Sequence, residues 1–495
     1  MPLEPMYDVL VVGAGNAALC AAMAALEHGA SVGILEKAPK AERGGNSMFT
    51  GHMRFAYNSV DDLVPLMKDP TADELARIKQ MLPQLTQDDL TDQIMRVTDY
   101  RSDPEMLAVH VAESYNTVHW LAGKGHTWVP NFGPRAQFVL SMDGGGHGLQ
   151  GRSYRIVEQG GATIHYETAA TELLQDDKAA VIGVRALGPD GFANFYGRSV
   201  VLACGGFEGN AEMRARYLGL NWDTVHMRGV PFNTGDGLRM ALNIGAQPHG
   251  SWSTCHASPQ DFAMPSSKLP SSVGKGAEHT SRYMYAFAIM VNSKGLRFVD
   301  EADDLRSLTY AKMGRSIINQ PGGMAFQIMD AKVRKTGLMP PSYDKASGAK
   351  SDSLEKLADI MGIDPQGLMR TVTEFNAAIP KDKQAKPSAY HLDGVGTHGL
   401  AIPKSNFAMT IDEPPYEAYI VRAGITFTFG GLKIEPKTGQ VQHVAQRPIK
   451  GLFAAGELVG GLFHGSYASG SGMMAGANWG RISGASAAKA AKAAN

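Results

Sequence analysis

The stretch YDVLVVGAGNAALCAAMAALEHGASVGILE, residues 7 to 36, constrains this chain more than any other. Val9 to Val12 form a short apolar run suited to a fully buried strand, and a glycine turn and an alanine-rich helical stretch follow it. The helix is expected to stop at HGAS, with Gly29 as its C′ residue, before a second apolar strand, VGIL, that leads to Glu36. Gly13, Gly15 and Ala18 stand in the G-x-G-x-x-G/A pattern between strand and helix. The first glycine permits the turn. The second lets bare backbone approach a pyrophosphate at the helix N-terminus, beside Asn16 and Ala17, where free N–H groups and the helix dipole favour negative charge. Glu36, about 20 residues on, is placed for a ribose hydroxyl, with Lys37 next to it. A dinucleotide site is the expectation.

Composition narrows the partners. At 495 residues, and roughly 150 residues per domain, two or three units are expected. With 47 basic and 48 acidic side chains there is no electrostatic case for nucleic acid or an anionic membrane, so the partner is expected to be a small molecule. Cys20, Cys204 and Cys255 lie far apart with no CxxC pair, which argues against a metal or cluster site and for a reducing compartment. The buried-strand pattern starts almost at once, leaving no room for a signal peptide, and cytoplasmic location is the expectation. No apolar run reaches the roughly 20 residues of a membrane span.

Further along, SDPEMLAVHVAESYNTVHWLAGKG reads as a helix capped by Asp103, started by Pro104 and broken near Gly123. TIHYETAATELLQ, AVIGVRAL and SVVLACGGF read as strands. From about residue 255 the texture changes to a Pro/Ser/Gly loop, AMPSSKLPSSVGKG, and to helices such as the one from Asp364-Pro365 with Leu368, Val372, Phe375 and Ile379 at core spacing. Strands and glycines return after PPYEAYIV, while the tail ASAAKAAKAAN is expected to fray. That order predicts an α/β chain: a Rossmann-like dinucleotide-binding domain (residues 1–254 and 416–495) with an inserted α+β domain (255–415).

FAD rather than NAD is chosen by the distant glycine segments. FAD carries a ribitol and an isoalloxazine ring and needs more backbone contacts from remote parts of the chain. RGGNS (Gly44, Gly45, Asn46, Ser47), LACGGF (Ala203, Gly205, Gly206), NTGDG (Asp236) and AAGELVGG (Gly456, Glu457) supply small residues at strand ends.

These segments, with IMVNSKGLRFVDE, ITFTFGGLKI, PIKGLFAAGELVGG and GRISG, resemble the fumarate reductase and succinate dehydrogenase flavoprotein family over nearly the whole chain. The tricarballylate dehydrogenase branch is the nearest on GGNS, CHA, RFVDE, TYAK and GITFTFGGLK, with 3-ketosteroid dehydrogenases more distant. The resemblance implies that the Rossmann-like part is an FAD-binding domain and the inserted α+β part a capping, substrate-binding domain, that Glu457 faces the flavin ribitol and that Ser471, Gly472, Met473 and Met474 run beside the ring. It implies non-covalent FAD, because Asn46 stands where some relatives attach the flavin through histidine, with His52 as the competing candidate. It implies that Arg306 transfers a proton, that His256 binds a substrate carboxylate, and that Tyr310 and Lys312 line the same cleft.

The departures bear on the substrate. Phe427 replaces the histidine that fumarate reductases place before the threonine of this strand, here Thr428, and FHGSYASGSG has no arginine where they carry one. His464 and Tyr467 are the new candidate contacts, and Glu278 and Arg282 are out of register with the family's relay. The expected activity is oxidation or reduction of a CH–CH bond beside a carboxylate or ketone, with hydride to flavin N5, a proton through Arg306, tricarballylate as the named substrate and a separate electron acceptor, membrane-associated or not. Two rivals stay open: a desaturase or reductase of a cyclic ketone, and a flavin-binding electron-relay subunit without its own chemistry.

Overall fold

The computed structural model describes residues 6–81, 84–132, 140–265 and 280–493. The first strand, Met6–Val12, sits in the middle of a parallel array, between Gly191–Leu202 on one side and Val32–Leu35 on the other. Thr163–His165 extends the array beyond Val32–Leu35, and Arg447–Ala454 extends it beyond Gly191–Leu202. Val9, Leu10 and Val11 are fully buried, as strands covered on both faces require; each such side chain removed from water is worth about 1.5–3 kcal/mol. The hairpin strands Ala169–Gln175 and Val181–Gly188 pair antiparallel on the flank, and Gln440–His443, antiparallel to Arg447–Ala454, completes this sheet.

The chain ends meet on one helix pair. The helix Asn16–Glu27 packs along Ser471–Ala493, and a Cβ at Gly480 or Gly484 would overlap the carbonyl oxygens of Ala17 and Ala21. Two glycines four residues apart therefore let the backbones touch. The alanine-rich tail, expected to be a helix end that frays, is helical to Ala493, with Ala487, Ala488 and Ala491 buried. Its small side chains fit a close interface, which supplies the stabilisation that an isolated helix end lacks.

A second sheet of six described strands is built around Tyr416–Leu432, which pairs antiparallel with Pro248–Asp261 and with Met324–Met329. The expected boundaries at 254/255 and 415/416 cut along this sheet: one long strand spans the first and its partner begins at the second. Helices Leu354–Met361 and Pro365–Ala377 cover the outer part, with Leu368, Val372 and Phe375 buried in a separate small core. The helix Pro104–Gly123 has the expected Asp103 cap, whose carboxylate accepts from Glu105 and Met106 N–H. Most of the loop at AMPSSKLPSSVGKG, and Glu278, lie outside the described residues.

Candidate functional site

The glycine turn is forced by its neighbours. Gly13 has φ +102°, and a Cβ there would lie 2.5 Å from the carbonyl oxygen of Ala203, at the end of the adjacent strand. Asn16 ties this turn to two distant segments: its N–H donates to Ser47 Oγ (3.2 Å) and its Nδ2 to the Met473 carbonyl (3.0 Å). Glu36 is 8% exposed, accepts from Ala38 N–H at 2.7 Å, and is raised above the usual carboxylate range by burial. Lys37 Nζ donates to Thr234 Oγ1 (2.5 Å) and Asp236 Oδ2 (2.8 Å), closing this end. Gly13, Gly15, Asn16, Ala17, Glu36, Lys37, Gly45, Asn46, Ser47, Ala203, Gly205 and Asp236 line a continuous cleft of about 1350 Å³.

The other end of the same cleft is aromatic. Antiparallel register sets His256 opposite Phe427, next to an irregularity in the pairing that re-aims the strand. Tyr310 comes from the helix Arg306–Ile318, and Tyr467 from the loop before the C-terminal helix. The His256 ring meets Tyr310 edge-on at 4.8 Å and Tyr467 at 5.0 Å, while Phe427 lies parallel to Tyr467 at 6.0 Å. The Tyr310 and Tyr467 hydroxyls are 2.7 Å apart. Phe429 and Phe463 pack behind them.

His256 is 1% exposed, and among the described residues neither ring nitrogen has a hydrogen-bond partner. Burial, helped by the Arg228 charge, holds its imidazole well below the usual range, so it is neutral and carries one unused donor and one unused acceptor. A buried polar group left unsatisfied costs about 1–3 kcal/mol, and a ligand with an oxygen at that point would relieve it. Burial likewise raises the Tyr310 and Tyr467 hydroxyls.

Between the two ends sits a carboxyl pair, Glu208 fully buried and Glu457 half-buried on the cleft wall. Glu457 accepts from Thr428 N–H (2.7 Å) and Thr428 Oγ1 (3.0 Å), and Glu208 accepts from the Nδ2 groups of Asn233 (2.6 Å) and Asn46 (2.8 Å). Burial raises both, and for Glu208 the neighbouring Glu457 charge adds to it; two such carboxyls side by side resist double ionisation. Asn46 Nδ2 also donates to the Thr426 carbonyl (2.7 Å), and its Oδ1 accepts from Val230 N–H (2.8 Å). An amide so engaged is a positioning group with no nucleophilic nitrogen, which fits a flavin held without a covalent bond. His52 is not among the cleft-lining residues and its Nδ1 faces Ser141 Oγ at 3.4 Å.

Of the residues expected from sequence, Gly456, Glu457, Gly472, Met473, His256, Tyr310, Phe427 and Tyr467 also line the cleft. Others stand behind it. Ala18, Ser471 and Met474 are fully buried in the packing that carries the walls, and Gly44 and Gly206 do not line the space. Thr428, expected to touch substrate, is fully buried and spends its groups on Glu457. His464, expected likewise, lies outside the cleft, where its Nε2 meets Arg101 Nη1 at 3.2 Å. Arg306 is not brought into the cleft: its guanidinium lies over the Tyr283 ring at 5.3 Å, beside a neighbouring cavity of about 550 Å³, and Tyr283 stands 5.4 Å from Tyr310. Lys312 forms an ion pair with Asp303, and Arg282 with buried Asp261.

Four contributors escape the sequence reading: Glu208, Thr426, Ser469 and Arg54. An acid among the glycines of GGFEGN was the available signal for Glu208. Arg54 gives none, because its partner Ser469 is 415 residues away.

Residues 8–473 match the family model described as FAD binding domain. A probable fumarate reductase, Ifc3, of Shewanella frigidimarina (strain NCIMB 400) is 28% identical over 492 residues, covering 97% of this chain and 75% of the relative. The open conformation of a flavocytochrome c3 fumarate reductase superposes with a TM-score of 0.72 at 27% identity, over 98% of this chain and 79% of that one. The fold is shared also with 3-ketosteroid delta1-dehydrogenase from Sterolibacterium denitrificans, with a TM-score of 0.73 at 19% identity, over 98% and 99% of the two chains.

Proposed function

The chain belongs to the FAD binding domain family, and from that premise we propose that it oxidises a CH–CH bond, or reduces the corresponding C=C bond, next to a carbonyl or carboxylate. One observation carries the reading: the cleft that begins at the glycine turn and Glu36 runs without a break to His256, Tyr310, Phe427 and Tyr467. FAD, when bound, supplies the hydride acceptor or donor. The side chains supply the rest. Phe427 and Tyr467, stacked on each other, present an apolar wall against which a flat, apolar substrate portion can lie. Neutral His256 is suited to hydrogen-bond the substrate's carbonyl or carboxylate oxygen. The Tyr310–Tyr467 hydroxyl pair lines the space where a proton must be held or moved at the carbon next to the hydride position.

This reading puts Tyr310 ahead of Arg306 as the proton-exchanging group, since Tyr310 lines the cleft while the Arg306 guanidinium lies over the Tyr283 ring outside it. Within the class, the aromatic walls favour conjugated enones and aryl-substituted alkenoates over the tricarballylate and aconitate pair, whose three carboxylates would face a chamber lined by one neutral imidazole and three aromatic rings. The test is a substrate panel read by anaerobic bleaching and reoxidation of the flavin band, spanning aconitate, fumarate, aryl acrylates and cyclic enones. Turnover of the planar members with loss of kcat in Tyr310→Phe supports the reading. Turnover by aconitate alone, or a Tyr310→Phe enzyme as fast as the parent beside a dead Arg306→Ala enzyme, sinks it. A chain that stays yellow and exchanges electrons but transforms no member of the panel would be the relay subunit instead.

A further inference from the structure

The wall that holds Tyr310 and Tyr467 has a guanidinium built into its back. Arg54 is 7% exposed and is bound to the cleft-lining segment 469–470 at two points: its N–H donates to the Gly470 carbonyl (3.2 Å) and its Nε to the Ser469 carbonyl (2.8 Å). Its Nη1 donates to Gln93 Oε1 at 2.6 Å on the helix Gln87–Val97. Ser469 is held from the other side by its N–H to the Ser307 carbonyl (2.8 Å), in the first turn of the helix that carries Tyr310, and Ser469 and Tyr310 line the same cleft. Arg54, Ser469, Tyr310 and Tyr467 thus form one connected unit, assembled from three distant segments.

We propose that Arg54 is a positioning residue for the proton step: through Ser469 it holds the Tyr310 hydroxyl in line with Tyr467, and its charge stabilises the Tyr310 phenolate. The inference rests on the reading above, in which Tyr310 exchanges the proton. In the reducing direction the Tyr310 O–H bond breaks, its proton forms the new C–H bond, and the electron pair stays on the phenolate oxygen until a solvent proton neutralises it. In a chamber lined by aromatic rings that phenolate would be costly without a nearby cation.

The surrounding charges agree. Burial pushes the Arg54 guanidinium down to about 10, still charged at neutral pH, while Tyr310, Tyr57, Tyr467 and Asp304 each favour its charged form. The titratable or charged groups facing Tyr310 are Tyr283, Tyr467, His256, Arg228 and Arg54, with His256 neutral. Arg228, which donates to Thr426 Oγ1 at 3.2 Å, adds to the same field. Asp304, paired with Arg96 at 2.9 Å, is the acidic group that acts on Arg54.

The experiment uses the holoenzyme and compares the parent with Arg54→Met and Arg54→Lys, each checked for yellow colour and melting temperature. The tyrosinate ultraviolet band is titrated in each, with and without Tyr310→Phe, so that the difference isolates ionisation of Tyr310. Arg54→Met should reduce the phenolate population at a given pH by roughly tenfold or more, lower kcat with little change in KM, and move the alkaline limb of the kcat/KM profile upward. Arg54→Lys should restore the band and much of kcat. If both variants leave the Tyr310 band in place, the inference is overturned, and equal losses in Met and Lys variants with an unmoved band would mean that Arg54 merely supports the loop. Failure of the underlying reading looks different: Tyr310→Phe itself would retain full turnover.

Discussion

At one end of the cleft, where the reading above puts the nucleotide, the wall is largely backbone and much of it comes from one contiguous stretch: Gly13, Gly15 and the first turn of the helix Asn16–Glu27, with Glu36 closing the unit. At the aromatic end, His256, Tyr310, Phe427 and Tyr467 arrive from separate segments, and their side chains are the surface. The first end depends on the absence of side chains, so its tolerance is set by sterics. The second depends on polar atoms buried among rings, so its tolerance is set by hydrogen bonding and charge. Substitutions at the first should remove the cofactor; those at the second should leave the colour and alter the chemistry.

The largest effect that would separate the ends is Gly13→Val. The positive φ and the contact with Ala203 together put roughly 2–6 kcal/mol against the native turn. The purified variant should carry no flavin absorbance and no turnover while circular dichroism stays folded; a yellow, active variant would break the distinction. Next comes Tyr310→Phe, for which kcat is expected to fall by about 10²–10⁴ with flavin retained, the range for loss of a general acid. Stopped-flow reduction of bound FAD checks it.

His256→Phe probes the same end more gently. It keeps the ring and removes the two nitrogens that no described residue satisfies, so kcat/KM should drop about 10–100-fold, mainly through KM, while thermal stability holds or rises. A fall in stability would mean that His256 serves the fold.

The smallest expected effect lies between the ends, at Glu208. Its folded carboxyl keeps its proton to higher pH than in the unfolded chain, so the native state binds more protons above the ordinary carboxylate range and stability falls as pH rises through the shifted value. Glu208→Gln removes that slope and can donate to Glu457. Its melting temperature should exceed the parent's at neutral pH, by the equivalent of about 1 kcal/mol, and converge with it in acid. A constant offset across pH would show that the carboxyl pair does not titrate as described.

Legibility follows the same division. The strand, turn, helix and second strand of residues 7–36 were readable because buried-strand runs, a glycine pattern and helix end signals act over a few neighbouring residues. Asp103 as a helix cap, and Leu368, Val372 and Phe375 as a core stripe, were readable for the same reason. Phe427 and Tyr467 could be singled out as departures from a pattern, yet nothing local said that Phe427 would face the cleft while Thr428 turned to Glu457. Strand alternation separates neighbours onto opposite faces, and only the pairing with Pro248–Asp261 decides which face is which. The fraying expected of the alanine-rich tail failed for a related reason: helix propensity is local, but the surface that Gly480 and Gly484 present to Ala17 and Ala21 is not.

By itself, the order of residues determined that a dinucleotide-binding unit forms, that remote glycine segments return to it, and that three scattered cysteines offer no paired-cysteine motif. Those properties depend on backbone conformation and short-range spacing. Tertiary structure alone decided that Arg306 stands one ring outside the chamber, that Arg54 stands behind it, and that Glu208 meets Glu457. Electrostatic roles depend on distance and burial, and both are set by how segments hundreds of residues apart pack against each other.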